Sequence, residues 1–509
     1  MFLWDEMNPE LKKIYENIDE TLDKHIARLQ EAVRQKSISH TGEGIEECAE
    51  LWVRYMKDVV GCQEASVVPV GKSKWGLEGD PVAYGKYDAG AEKTLLIYHM
   101  YDVMPIQEWT LPDASVPIEQ KWRVDPWAGE LVEEPPFPKV LMARGATNSK
   151  GPQVAFFNAC ESIKEIAGEL PVNLIFVAEG DEERMDIGLH TFVHKYKDEL
   201  KEADAVYLQM GRTNRNGVAS VNSGSEGCIF FELETSGSSW GRGPSIPVHG
   251  ANKRWLDSPA WRHIDMLSTL TKANGNKILI EGWYNDIEEP SEDDMAIIKE
   301  MAEKTNIDQA KKALGAKVFI GDETDPVKLL KMRTFSTSFN LDGIWGGRIL
   351  DTGAGSILPS KVTSKHNCRY IPDQNGDELH RKLRSHLDKQ GYQDVVIRIV
   401  GDVDWHRSNL NTDIGRAVLR MFKEFNVEIM PPMPPTVPGS WPPSAPYWPA
   451  ALFGKEPLQL PIAGGALGYG DRAHSINEFY VIEGAGKVQG LSGAEKSMAT
   501  VLYNYAGKN

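Results

Sequence analysis

The run TLLIYHM, residues 94–100, constrains this chain more than any other stretch. Apolar side chains at consecutive positions leave no face for water, so the segment reads as a strand buried on both sides, inside a sheet covered by helices. It stops at Tyr101-Asp102-Val103-Met104-Pro105, where a buried strand hands functional side chains to the carboxyl edge of its sheet. The runs EASVVPV, VAYGKY, VNLIFVAEG and DAVYLQM are similar, and they alternate with helical spacing over residues 152–166 and 187–196. That alternation predicts an α/β fold whose ligands gather at the strand ends. Upstream, Leu11, Ile14, Ile18, Leu22, Ile26, Leu29 and Val33 recur at helical spacing and predict one long amphipathic helix over residues 8–35, with a second over 44–60.

At 509 residues the chain exceeds what one core usually serves. After Cys228 the texture changes to longer strands, CIFFELETSG, VTSKHNCRYI and QDVVIRIV, with helices at 258–271 and 376–389, which predicts an α+β domain over 228–408. Segments 1–227 and 409–509 would then form one domain around that insertion. The proline-dense MPPMPPTVPGSWPPSAP is read as a structured loop facing a pocket, although such composition also suits a linker. A net charge of −17 argues against a nucleic-acid partner, which needs clustered Lys and Arg. Five scattered cysteines without a CxxC pair point to a reducing compartment, and the cytoplasm is the expectation. An acidic amino terminus and the lack of any 18-residue apolar run predict neither secretion nor a membrane span.

Four segments at strand ends carry chemistry: HMYDVMP (99–105), ARGATNSKGP (143–152), AEGDEERMD (178–186) and AHSINE (473–478). Alone, each has a plain structural reading: paired carboxylates usually line a solvated loop, and single histidines usually have structural partners. In this order they resemble the carnosinase, aminoacylase and succinyl-diaminopimelate desuccinylase family of dinuclear zinc hydrolases. PVHGANKRWLDSP, STSFNLDGIWGG and SKHNCRYIPDQ resemble its lid segment, its Asn-bearing loop and its substrate-carboxylate strand. The resemblance implies a mixed sheet flanked by helices, a zinc-exopeptidase-like catalytic domain in two parts (1–227 and 409–509), and an inserted α+β lid and dimerisation domain (228–408). It implies a homodimer as well.

Aligned on these motifs, the family's metal-ligand histidine falls on Met100, and His99 takes the neighbouring glycine position. Adjacent strand residues point to opposite faces, so His99 is expected to face away from the metals. The same register puts Asn148 where a carboxylate bridges two metals and Met210 where another carboxylate binds, while Glu183 and His474 match retained ligands. An amide and two thioethers supply little of the charge that a dinuclear zinc site needs. The expectation is therefore no resident cofactor, with one weakly bound zinc as the alternative.

The resemblance also implies roles for retained residues. Glu182 falls on the general base, Asp102 on the carboxylate that orients the missing histidine, and His249 on the lid histidine of the partner subunit. Asn340, Arg369 and Gly439 match groups around a substrate carboxylate. The preferred reading is an enzyme acting on an amino-acid-like or short peptide carboxylate by metal-independent proton transfer through Glu182: racemase, isomerase, lyase or metal-free hydrolase. A zinc-dependent peptidase or N-acyl-amino-acid amidohydrolase, and a non-catalytic binding protein, remain open alternatives.

Overall fold

The computed structural model describes residues 8–106, 122–210, 213–222, 224–287, 289–303, 305–347, 355–371, 373–430 and 448–508. The proline-dense segment, with Gly439, lies outside them. Two compact units emerge, one from Met1–Ser225 with the chain from Arg407 on, the other chiefly Glu226–His406.

The first unit is built on a six-stranded mixed sheet in the order Glu64–Val68, Val82–Tyr87, Asn173–Glu179, Thr94–Met100, Ala205–Leu208, Ile462–Gly464. Val82–Tyr87 runs antiparallel to both of its neighbours, and the remaining pairings are parallel. Parallel pairing next to Thr94–Met100 explains its unbroken apolar run, because helices must cover both sides. One covering helix, Gly151–Ala167, buries Val154, Phe156, Phe157 and Ile163. Each large apolar side chain buried in this way stabilises the fold by about 1.5–3 kcal/mol.

The expected single helix over residues 8–35 is instead two, Pro9–Glu20 and Leu22–Arg34. Thr21 separates them, with its hydroxyl donating to the Asn17 carbonyl at 2.7 Å. Such back-bonding bends a helix without altering its apolar spacing, so the pattern hid it. A second antiparallel sheet, Gly470–Asp471, Phe479–Glu483, Phe137–Met142 and Glu130–Glu134, was not foreseen. It pairs Phe479 with Met142 and so brings the segment ending at Glu478 beside the segment starting at Ala143.

The second unit has a four-stranded antiparallel sheet ordered Asn340–Trp345, Lys361–Tyr370, Gly227–Ser236, Val396–Val403. Its core joins Ile229, Phe231 and Leu233 to Met266, Leu379 and Leu383 of the helices Pro259–Leu270 and Gly376–Lys389. The stretch read as an Asn-bearing loop is, at Asn340–Trp345, an edge strand. Three helices, Glu292–Glu303, Ile307–Ala313 and Pro326–Thr334, had no counterpart in the sequence reading. No helix among the described residues is long and apolar enough to cross a membrane.

Candidate active site

At the end of Thr94–Met100 the two adjacent residues part company. His99 is fully buried, its Nδ1 accepting from the Trp52 indole at 3.3 Å and its ring edge-on to Phe157 at 5.1 Å. Burial pushes its pKa down to about 3, so the ring is neutral. Met100, 2% exposed, packs on the other face with Tyr98, Leu208 and Trp448.

The neighbouring strand Asn173–Glu179 leads into a 3-10 turn, Glu182–Arg184. Asp181 fixes that turn: it accepts from the Asp80 amide and, at 3.0 Å, from the Gly188 amide, and pairs with Arg184 at 3.1 Å. Met185 and Asp186 then adopt left-handed φ of 76° and 54°, turning the chain back into the next helix. Asp102 holds the turn from below, accepting from the amides of Glu182 at 3.3 Å and Glu183 at 3.0 Å. Burial, reinforced by the Glu183 charge, raises the Asp102 pKa well above the usual carboxylate range. Asp102, expected to orient a histidine, thus anchors the backbone of the two glutamates.

Glu183 meets Asn148 and His474. The Asn148 amide nitrogen lies 2.9 Å from Glu183 Oε1 and 2.9 Å from His474 Nε2, and the imidazole lies 2.9 Å from Glu183 Oε1. Burial disfavours the charged imidazole, but the Glu183 carboxylate outweighs it, and the His474 pKa is raised. Hydrogen bonds cannot satisfy every edge of this triangle, because Nε2 cannot donate to Glu183 and accept from the amide at once.

Met210 joins the apolar cluster around Met100, and its sulfur receives the Gln153 amide at 3.5 Å while the same amide reaches the Met100 carbonyl at 2.6 Å. In the second unit, Arg369 pairs with Glu226 at 3.3 Å, Asn340 donates to Asp342 at 2.6 Å, and exposed His249 caps the helical turn Gly250–Arg254. Gly439 lies outside the described residues. Sequence reasoning missed Gln153, Arg144 and Glu478; the last closes the AHSINE motif, where an acidic residue four positions after His474 was the available signal.

Carboxylates and an imidazole thus converge at the carboxyl edge of the mixed α/β sheet. The sequence matches Peptidase family M20/M25/M40 over residues 113–487, and the chain belongs to that family. It is 27% identical over 401 residues to the Cys-Gly metallodipeptidase dug1 of Schizosaccharomyces pombe, covering 75% of this chain and 76% of that protein. It is 23% identical over 438 residues to the Beta-Ala-His dipeptidase of Mus musculus, covering 81% and 82%. Among solved structures, the M20 family metallo-carboxypeptidase Sso-CP2 from Sulfolobus solfataricus superposes with a TM-score of 0.77 at 26% identity, over 95% of this chain and 99% of that one. The chain is therefore an enzyme of the peptidase class with the α/β fold that the sequence predicted.

These relatives correct the expectation of no resident cofactor, since two of them are named as metalloenzymes. That expectation counted the charge missing at the positions matched by resemblance and gave too little weight to the donors that stand there. No group of three or more His, Cys, Asp or Glu able to hold a metal occurs among the described residues. Glu183 and His474 nonetheless offer a carboxylate and an imidazole of the kinds that hold a zinc-class cation, and Asn148 would add its Oδ1 once the amide, whose nitrogen now faces them, is turned over. Among the described residues, no comparable set surrounds Met100 and Met210.

Proposed function

We propose that this chain hydrolyses the peptide bond of dipeptides or similarly short peptides, using one divalent metal ion held by Glu183 and His474 with Asn148. The observation that carries the reading is the convergence of those three side chains beside the Glu182 turn. The proton-transfer alternatives without metal give way to hydrolysis, which suits the dipeptidases among the relatives. When bound, the metal would polarise the scissile carbonyl and lower the pKa of water. Glu182 takes the proton from the attacking water and returns it to the leaving amine. Asp102 keeps Glu182 in place through the backbone amides it accepts from.

The proposal keeps the roles that the family resemblance implies: Arg369, Asn340 and Gly439 for recognition of a substrate carboxylate, and His249 for oxyanion support within a cytoplasmic homodimer. Assays of Cys-Gly, β-Ala-His and other dipeptides, with zinc or manganese added, test the reading. Glu182→Gln keeps the shape of the side chain but removes the base, so hydrolysis should fall by ~10²-fold or more with substrate binding little changed. Failure of the metal-loaded protein to cleave any short peptide overturns the proposal.

A further inference from the structure

We propose that Glu478 is a positioning residue of this site: its carboxylate fixes the loop that presents Asn148 and, from the same chain segment, sets the place of His474. The proposal rests on reading the Glu183, Asn148 and His474 cluster as the functional centre. Glu478 is fully buried. One carboxylate oxygen accepts from the Thr147 amide at 3.0 Å and the Asn148 amide at 2.9 Å; the other accepts from the Gly145 amide at 3.0 Å and the Arg144 guanidinium at 2.7 Å. Three amides of a single turn aimed at one anion make a nest, and a charged acceptor makes each bond stronger than its neutral counterpart.

The main chain joins in. The Glu478 carbonyl accepts from the Ala143 amide at 3.0 Å, so backbone and side chain of one residue hold both ends of the turn before Asn148. On its other side, Arg472, His474 and Asn477 sit at left-handed φ of 61°, 61° and 57°. Non-glycine residues persist there only where their surroundings determine them. The Asn477 side chain, accepting from the Arg123 amide at 2.6 Å, the Arg472 guanidinium, donating to Glu134 at 2.9 Å, and the buried Glu478 anchor that bend. Glu478 thus ties the loop carrying one donor of the cluster to the segment carrying another.

A buried carboxylate elsewhere in the same unit provides the control. Glu495 is also fully buried and bonds His25 at 2.8 Å and Asn158 at 2.7 Å, with no residue of the site among these partners. Glu478→Gln places an amide NH2 against groups that only donate, so its effect should be local to the turn. Hydrogen exchange of the metal-free protein reads this directly. Protection of the Gly145, Thr147 and Asn148 amides should drop by ~10-fold or more in Glu478→Gln, with the Thr94–Met100 strand unchanged.

Turnover of a short peptide by the metal-loaded variant should fall by ~10-fold or more in kcat, with KM moving by less than ~3-fold. Glu495→Gln should lower thermal stability but move neither the turn amides nor kcat. If Glu478→Gln does not fold, Glu478→Asp, one methylene shorter but still charged, should show intermediate loss of protection at the same three amides. Unchanged protection in the folded variant, or equal losses in Glu495→Gln, overturns the proposal. The exchange measurement stands apart from catalysis, so an absence of peptidase activity would sink the functional reading without deciding this one.

Discussion

The two halves of the candidate site are built from different materials. On one side Glu183, Asn148 and His474 meet at 2.9 Å and compete for too few protons. On the other, Met100 and Met210 pack with Leu208 and Trp448, filling irregular space, and the Gln153 amide donates to the Met210 sulfur. In the polar half, Asp102 and Glu478 accept the backbone amides of the turns that carry Glu183 and Asn148. The methionine half has become core. A thioether at either position fills the space at the sheet edge and keeps its packing.

If that contrast is right, the largest effect comes from removing charge in the polar half. Glu183→Gln leaves one imidazole and two amides, a poor set for a zinc-class ion. Metal affinity, measured by competition with a chromophoric chelator, and peptide hydrolysis should each fall by ~10²-fold. Loss of hydrolysis with metal affinity intact would place the metal elsewhere and break the comparison.

Met100→Leu should do far less. The swap conserves volume within an apolar cluster, so stability should change by less than about 1.5 kcal/mol and metal affinity should stay within ~3-fold. Denaturant unfolding and the same competition assay decide it. A metal affinity that collapses with Met100→Leu would show the thioether to be a ligand after all.

Much of this was legible in the sequence because strand periodicity is local. The unbroken run at residues 94–100 implies a central strand, and the alternation of adjacent side chains by itself separates His99 from Met100. Spacing could not reveal the break at Thr21, which costs the helix no apolar position. Nor could it reveal Glu478, whose partners Arg144, Gly145, Thr147 and Asn148 lie more than three hundred residues away in the chain and meet it only through the second sheet. The cofactor expectation failed for a related reason. A count of replaced ligands is a property of the alignment, whereas the affinity of the remaining donors depends on how closely the fold brings them together.

The smallest effect concerns pH, and the polar half should show it while the methionine half does not. The folded His474 pKa is raised, chiefly against burial and by Glu183, so its pairing stabilises the metal-free protein fully below the unfolded histidine value of about 6.5. The contribution disappears as pH rises through the folded pKa. The side chain is 48% exposed, so solvent screening should hold it to about 0.5 kcal/mol or less. His99, pushed by burial to about 3, and His263 and His366, pushed to about 4, act the other way and cost stability as pH falls below about 6.5. They are common to wild type and His474→Gln and cancel in the difference. With chelator present, the stability gap between these two proteins should therefore be larger at about pH 5.5 than at about pH 8.5. The corresponding gap between wild type and Met100→Leu should be flat, because a thioether does not titrate. A His474 gap that widens with rising pH would mean that the imidazole is held neutral, as an acceptor from Asn148, and that the polar half is organised around the amide instead of the ion pair.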